Sequence, residues 1–521
     1  MEILENIALR VRLPSELTQT ITRYVERSEV VDGDLLMCWD YDEAAYLAQT
    51  LDHKQPSPHL PSVPSPMLRD YKWPGIYKPF AHQSDTASFL SLRSRAFVFN
   101  EAGTGKTSAA IWAADYLMNI GKVKRVLVVC PMSIMYTAWQ QDIFNTAMHR
   151  TAAVAYGSAQ KRRKILEGGY EFIITNYDGT KVLYDDLRNG GFDLIIVDEA
   201  NSYKNTGSKR WKILAKLMTP STRLWMMTGT PASQSPVDAF GLARLIAPHR
   251  VPKYASAWRD RVLLRVSQFR YIPKPSAKND VFYALQPAIR YTKAECLDLP
   301  EVVYQTRFVP ITPQVAQYYK RLKTQMMVEA AGERISAVNA AASLTKLLQL
   351  SGGAMYTDNR NVVEFDIAPR LNTLSEVLDE TLNKVLVFVP YGHTITVVSE
   401  YLTKSGVSNE IIDGGVSASR RADIINRFQQ QSEPRVLVIQ PQAASHGVTL
   451  TAADTIVFWS PVMSVETYLQ CIARIDRVGQ QNRMTVVHLE GSEVEEKVYK
   501  MLRSKVDSHQ KLVELYEQIF S

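Results

Sequence analysis

The strongest chemical signal in the chain is Asn100-Glu101-Ala102-Gly103-Thr104-Gly105-Lys106-Thr107, set between an apolar run, Ala96 to Phe99, and a helical pattern, Ser108 to Leu117. Gly103 and Gly105 let backbone N–H groups turn inward around phosphates. Lys106 carries a positive charge to the β- and γ-phosphates, the Thr107 hydroxyl can ligate Mg²⁺, and the following helix adds the positive end of its dipole. The usual first glycine of such a loop is Asn100 here. A second signal is Leu194-Ile195-Ile196-Val197 ending in Asp198-Glu199. An apolar strand of this kind delivers both carboxylates to the C-terminal edge of a sheet, beside the phosphate loop. There Asp198 can hold Mg²⁺, and Glu199 can orient and deprotonate an attacking water. The third is Gln470 to Gln480, in which Arg474 and Arg477 stand three apart and are expected to share a helical face. From a second lobe they would reach a γ-phosphate as arginine fingers, although alone such a segment reads as a solvated basic helix.

These groups need rigid elements behind them. From about residue 79 to 250, apolar runs at Ala96–Phe99, Arg125–Cys130, Phe172–Thr175, Leu194–Val197 and Leu224–Met227 alternate with helical patterns, as in a parallel sheet covered on both faces. The alternation returns from Lys384 to Leu489, with strands expected at Val385–Val389, Val436–Ile439 and Thr455–Phe458 and a long helical stretch before them, Pro313 to Leu350. The fold class implied is α/β, with two copies of one αβ architecture, helical insertions and a small N-terminal α/β module. The expected division is an acidic module (1–52), a linker with prolines at 56, 58, 61, 64 and 66 (53–70), lobe one (71–300), lobe two (301–491) and a closing helix (492–521).

Of 521 residues, 46% are hydrophobic and 22% charged, enough to bury a large core in each domain. No apolar run is long enough to span a membrane, and Met1-Glu2-Ile3-Leu4-Glu5 is not a secretory leader. Four scattered cysteines show no metal-ligand spacing. The net charge of +7 divides into −6 over residues 1–70 and +13 over the rest, so the larger part is the expected polyanion binder. A module so charged, behind a proline-rich linker, is expected to be flexibly tethered and dispensable, so that a chain starting near Tyr71 still folds and hydrolyses ATP. Trp39, Tyr41 and Tyr46 lie in that module, where packing or a protein partner outweighs base stacking. Lys161-Arg162-Arg163-Lys164 reads first as a solvated helix face and second as a phosphate contact.

From about Lys78 to Glu496 the chain resembles Snf-type (sucrose-non-fermenting) remodelling ATPases of helicase superfamily two. In that family the phosphate loop reads D-E-x-G-x-G-K-T, which Asn100 enters at the first position. Pro79 to Gln83 resembles the segment whose glutamine reads adenine. Cys130-Pro131-Met132-Ser133 with Trp139, and Thr175-Asn176-Tyr177, resemble the first two DNA-tracking motifs. Asp198 to Asn205 matches D-E-A-H-x-x-K-N with Asn201 for histidine, and Thr228-Gly229-Thr230-Pro231 matches the coupling motif. Pro287 to Leu299, with Arg290, Thr292 and Lys293, resembles the basic segment before lobe two. Asp413-Gly414 with Arg421 and Phe428, Ala443 to Thr451, and Gln470 to Gln480 resemble the lobe-two motifs, the last matching Q-x-x-x-R-x-x-R-x-G-Q throughout.

The resemblance of residues 78–496 to Snf-type ATPases implies that the two αβ copies are two tandem RecA-like lobes. It implies an ATP and Mg²⁺ site made by Gln83, Gly103, Thr104, Gly105, Lys106, Thr107, Asp198, Glu199, Gly447, Gln470, Arg474 and Arg477. It implies DNA contacts at Ser133, Trp139, Thr175, Asn176, Ser445 and Thr449. The expected activity is ATP-driven translocation on double-stranded or branched DNA by a monomer, with a protein partner for residues 1–52. Strand separation at forks or hybrids is the alternative, and a non-catalytic scaffold is disfavoured by the complete nucleotide motifs. A cytoplasmic setting, or a nuclear one in a eukaryote, is expected. Ala444 and Ser445 replace a glycine pair, Thr449 replaces asparagine, and a DNA-contacting family tryptophan falls near Met463, with Trp459 close by.

Overall fold

The computed structural model describes residues 1–54, 63–229, 231–232, 235–266, 271–296, 299–330, 337–356, 361–444 and 448–504. The chain divides into two units, Met1–Leu297 and Asp298–Ser521.

In the first unit, Val126-Leu127-Val128-Val129-Cys130 and Leu194-Ile195-Ile196-Val197 have no polar side to show to water, and they become central strands. The sheet has seven strands in the spatial order Ala288–Ile289, Arg95–Val98, Arg223–Met227, Leu194–Asp198, Val126–Cys130, Phe172–Asn176 and Ala152–Val154. Every neighbouring pair is parallel. Alternate residues feed two cores. Val126, Val128, Ile196 and Trp225 pack on one face with the helix Lys106–Asn119, while Leu127, Val129, Ile195 and Met226 pack on the other with Ala239–Ile246. The crossover helices run antiparallel to the strands. Their last carbonyls therefore collect at the N-terminal edge of the sheet, where they need donors. Arginines supply some of them: Arg95 donates to Leu245 O and Arg125 to Leu166 O, and Arg125 donates further to the loop carbonyls of Tyr170 and Gly190.

Residues 1–54 form a four-stranded antiparallel sheet, ordered Glu2–Leu4, Ala8–Val11, Asp34–Cys38, Ser28–Val31, with the helices Ser15–Tyr24 and Tyr41–Lys54. The tethered-module expectation is overturned, because this sheet belongs to the first unit. Its core of Leu9, Val11, Ile21, Leu35, Met37, Trp39, Leu47 and Leu51 closes around Leu92, which comes from the RecA-like part. Asp52 pairs with buried Arg93 at 2.8 Å, and its carbonyl accepts from Arg250. The Tyr41 hydroxyl donates to Ser91 O and accepts from Arg223, and Asp42 pairs with Lys122. Trp39 is buried and its indole N–H donates to Pro64 O, which removes it as a stacking platform. Met67, inside the segment read as linker, is wholly buried in the larger core. Asp42 and Asp52 of residues 1–70 are thus spent on specific pairs with the neighbouring basic surface, and Asp34, Asp40, Glu43 and Asp70 pair with arginines of the same stretch, which a net charge cannot reveal.

The second unit carries a six-stranded parallel sheet, ordered Val302–Phe308, Met484–Glu490, Ala453–Phe458, Lys384–Phe388, Val436–Ile439, Asn409–Ile412. Leu386 and Phe388 face one core, Val385 and Val387 the other. The Pro313 to Leu350 stretch holds two helices, Pro313–Ala330 and Ala337–Gly352. At the end of the described chain the helix Glu493–Arg503 is capped by Ser492, and its Glu495 forms a buried ion pair with Arg370 at 2.8 Å. The part of the expected closing helix beyond residue 504 lies outside the described residues. No helix among the described residues is long and apolar enough to cross a membrane.

Candidate functional site

Five adjacent strands of the first unit end on the same edge, and each end carries a motif. In spatial order these are the phosphate loop after Val98, Thr228-Gly229 after Met227, Asp198-Glu199, Met132-Ser133 after Cys130-Pro131, and Asn176. Gly103 and Gly105 hold φ values of +88° and +79°, which only glycine adopts without strain. Gly105 is also approached so closely by the Gln83 side chain that a Cβ there would collide with its amide nitrogen. Gln83 Nε2 donates to Thr104 O and its Oε1 accepts from Phe80 N, so the glutamine braces the loop from the helix Ala81–Ser91. His82 Nε2 reaches the same Thr104 carbonyl at 2.8 Å, a support that the sequence reading missed. Asn100 explains its own presence. Its Nδ2 donates to Thr86 Oγ1 at 2.9 Å while its Oδ1 accepts from Tyr291 N at 3.1 Å, a donor-and-acceptor task that an ionised carboxylate cannot perform.

Lys106 Nζ donates to the carbonyls of Asn100 (2.9 Å) and Glu101 (3.2 Å), inside the curl of the loop. Thr107 sits half-buried one residue into the helix Lys106–Asn119. Gly229 packs against the loop, with a notional Cβ 3.3 Å from Ala102 N, so the start of the coupling motif abuts the phosphate cradle. Thr230 lies outside the described residues.

Asp198 is 8% exposed, and burial pushes its carboxyl above the usual aspartate range, against the opposing pull of Lys106. Its Oδ1 accepts from Glu199 N at 2.9 Å and its Oδ2 from Trp139 Nε1 at 3.0 Å. Glu199 has φ +50°, a left-handed conformation that a non-glycine residue holds only under external constraint. The Tyr177 hydroxyl applies part of that constraint by donating to the carbonyls of Asp198 (2.8 Å) and Glu199 (3.3 Å). Asn201, where the family has histidine, follows on the short turn Ala200–Tyr203.

The residues expected to touch DNA separate into groups. Ser133 and Asn176 are half-buried at the strand ends, and Asn176 Oδ1 accepts from Arg162. Thr175 is corrected: it is wholly buried and its hydroxyl donates to Ala155 O. Trp139 is corrected too, being wholly buried with its N–H committed to Asp198. The basic run is likewise partly structural, with Arg162 buried on Gly157 O and Arg163 paired with Asp186. In the second unit Thr449 is half-buried, while Ser445 and Gly447 lie outside the described residues. Trp459 is buried and donates to Gly352 O, so it does not substitute for the DNA-contacting tryptophan.

Arg474 and Arg477 do not share a helical face, since the helix Val465–Ile472 stops before both. They lie on the irregular turn that follows and are brought together by one acceptor. Arg474 Nη1 (3.1 Å) and Arg477 Nη1 (3.3 Å) both donate to Val448 O, next to the position of Gly447. Arg474 Nε donates to Gln470 O, and Gln480 Nε2 ties the turn to Ala453 O. The turn, not a helix, holds the two arginines together.

Residues 82–353 match the SNF2-related domain, and residues 369–479 match the helicase conserved C-terminal domain. The chain belongs to the SNF2-related family. Its matched domains are those of a helicase-class ATPase. The mouse chromodomain-helicase-DNA-binding protein 1-like is 25% identical over 483 residues, covering 88% of this chain and 52% of that protein. The putative protein p41 of Acyrthosiphon pisum secondary endosymbiont phage 1 is 27% identical over 442 residues, covering 79% of this chain and 92% of its own length. The SWI/SNF-related subfamily A-like protein 1 of Drosophila melanogaster is 24% identical, with 81% and 54% covered. The chain thus spans about half the length of the mouse and fly relatives. Among solved structures, the Sulfolobus solfataricus SWI2/SNF2 ATPase core in complex with dsDNA matches with a TM-score of 0.42 and 21% identity, covering 83% of this chain and 92% of that one.

Proposed function

We propose that the chain is an ATP-driven translocase on double-stranded DNA that remodels DNA structures or protein–DNA complexes. The observation that carries this reading is the row of five motif-bearing strand ends, which puts the phosphate loop, the carboxylate pair and the tracking motifs on one rigid edge. In this reading Gly103, Thr104, Gly105 and Lys106 cradle the triphosphate, with Gln83 bracing the loop and reading adenine. Thr107 and Asp198 hold Mg²⁺, a fit supported by a hydroxyl and a carboxylate on this edge and by the influence of Lys106 on the Asp198 carboxyl. Mg²⁺ supplies charge neutralisation on the phosphate oxygens. Glu199, its backbone fixed by Tyr177, takes a proton from the attacking water as the water oxygen bonds to the γ-phosphorus and the bond from that phosphorus to the β,γ-bridging oxygen breaks, ADP leaving with that oxygen. Arg474 and Arg477 stabilise the charge that develops on the transferred group, with Gly447 and Gln470 completing the nucleotide contacts. Ser133 and Asn176, with Ser445 and Thr449 from the second unit, contact the DNA backbone, which is read by phosphate position and not by base. The chain acts as a monomer, and the exposed face of the N-terminal sheet is available to a protein partner.

The test compares ATP turnover with duplex DNA, single-stranded DNA, forked DNA and RNA, alongside triplex displacement and strand-separation assays. Greater stimulation by duplex than by single strands, with triplex displacement and without unwinding, is expected. Equal stimulation by RNA and duplex DNA defeats the substrate assignment.

A further inference from the structure

Trp139 has no direct part in the function proposed above, yet its side chain donates a hydrogen bond to Asp198 of the carboxylate pair. Its indole is wholly buried among Val128, Ile134, Ile196 and their neighbours, and its N–H meets Asp198 Oδ2 at 3.0 Å. Glu199 N takes the other oxygen, so both lone-pair faces nearest the protein are fixed and the carboxylate plane is set. The segment that carries the indole is unusual. It leaves the strand Val126–Cys130 through Pro131, makes a 3₁₀ turn (Met132–Ile134), widens into a π-helical turn (Met135–Gln140) and only then becomes α-helical (Gln141–Thr146). A π turn holds an extra residue at a loss in hydrogen-bond geometry and recurs where a side chain must be aimed. Here it turns Trp139 inward while Met132 and Tyr136 of the same segment stay exposed beside half-buried Ser133.

We propose that Trp139 is a positioning residue that sets the Asp198 carboxylate for Mg²⁺ and ties the metal site to the surface segment Met132–Gln140, so that DNA contact there and Mg²⁺–nucleotide binding favour each other. The inference rests on Asp198 being the metal carboxylate. An indole N–H fixed on one carboxylate oxygen leaves the remaining lone pairs of that group in a single orientation, and outer partners of this type change metal affinity by roughly 10- to 100-fold when removed. Coupling between two sites is reciprocal, so a segment displaced by DNA must act back on the carboxylate through the same hydrogen bond.

The protein supplies its own control. Trp225 is another wholly buried tryptophan of the same core, and its N–H donates to Arg93 O at 3.0 Å, at the opposite edge of the sheet. Trp139→Phe and Trp225→Phe remove the same atoms from the same packing environment, but only one removal touches the carboxylate. ADP binding is measured by calorimetry across a Mg²⁺ titration, with and without duplex DNA, together with thermal melts. For Trp139→Phe the Mg²⁺ concentration at half-saturation rises about 10-fold, ADP binding in chelator is unchanged, and the gain conferred by duplex DNA disappears. Trp225→Phe melts earlier without changing the Mg²⁺ requirement. An unchanged Mg²⁺ requirement in Trp139→Phe, or an equal rise in both variants, overturns the proposal. Asp198→Ala separates the two levels. If it leaves the Mg²⁺ dependence of ADP binding intact, the metal assignment falls and the inference with it; if it abolishes that dependence while Trp139→Phe does not alter it, the inference alone falls. Hydrogen exchange on the unaltered protein adds a measurement that needs no variant. Amides of residues 132–140 gain protection with Mg²⁺ and ADP but not with ADP in chelator, and equal protection in the two conditions overturns the coupling.

Discussion

The two edges of the first unit's sheet are built from the same strands and serve opposite ends. At the C-terminal edge, charged and polar groups are held in demanding geometry: Glu199 at positive φ, Asp198 buried against its ionisation, Lys106 folded onto loop carbonyls. At the N-terminal edge Arg93, Arg95, Arg125 and Arg223 are also gathered, but each is matched to helix-end carbonyls, to Asp52 or to Tyr41. The difference follows from chain direction. Parallel strands with antiparallel helices place helix N-termini, and so free N–H donors, at one edge, and orphan carbonyls at the other. The first edge suits anionic ligands and the second suits arginines that never leave.

The comparison predicts large kinetic effects with intact folding at one edge and the reverse at the other. Glu199→Gln lowers ATP turnover by roughly 10²- to 10⁴-fold while ADP binding and the melt stay as they were; loss of nucleotide binding in a folded Glu199→Gln protein breaks the assignment. In the second unit, apart from either edge, Arg477→Ala lowers kcat by about 10³-fold if the residue acts on the transferred phosphoryl group. A loss of only a few-fold in single-turnover assays returns the residue to a structural role on Val448 O.

At the other edge, Arg93→Ala leaves Asp52 without its partner. Because the Arg93 side chain is 6% exposed and the Asp52 side chain 22%, denaturant titration should register about 3 kcal/mol of lost stability. Turnover per folded molecule is unchanged, and a kinetic defect beyond the folded fraction breaks the comparison. Removing residues 1–62 uncovers Leu92 and lowers the melting temperature, whereas a flexible tether leaves it constant. The smallest effect is on salt dependence. Duplex affinity falls with a log–log slope of roughly −4 to −5 for about five neutralised phosphates, and Arg125→Gln leaves that slope alone, because its guanidinium is committed to three carbonyls.

Much of this was legible in the sequence because it depends on local pattern. Continuous apolar runs such as Leu194–Val197 cannot be half-exposed strands, and the glycines at 103 and 105 have few uses beside Lys106-Thr107. What spacing does not give is direction. Trp139 and Thr175 stand where tracking residues are expected, yet the π turn sends one inward and the strand pleat buries the other. Arg474 and Arg477 form a pair for a reason that the i, i+3 rule does not contain, since their common acceptor, Val448, lies 26 residues from Arg474 in sequence. The docking of residues 1–54 rests on long-range matches such as Asp52 with Arg93, to which composition is blind.

Leu92 carries a further consequence, one of timing. It lies in the core of the N-terminal sheet but is made 38 residues after Lys54, the last residue of that module. At a synthesis rate of about 5–20 residues per second, the module's strands wait roughly two to eight seconds for the side chain that seals them. During that interval the core that holds Leu9, Leu35 and Met37 lacks its Leu92 side chain. Slowing translation between Lys54 and Leu92 should therefore raise aggregation of the nascent chain more than an equal pause placed after Leu92.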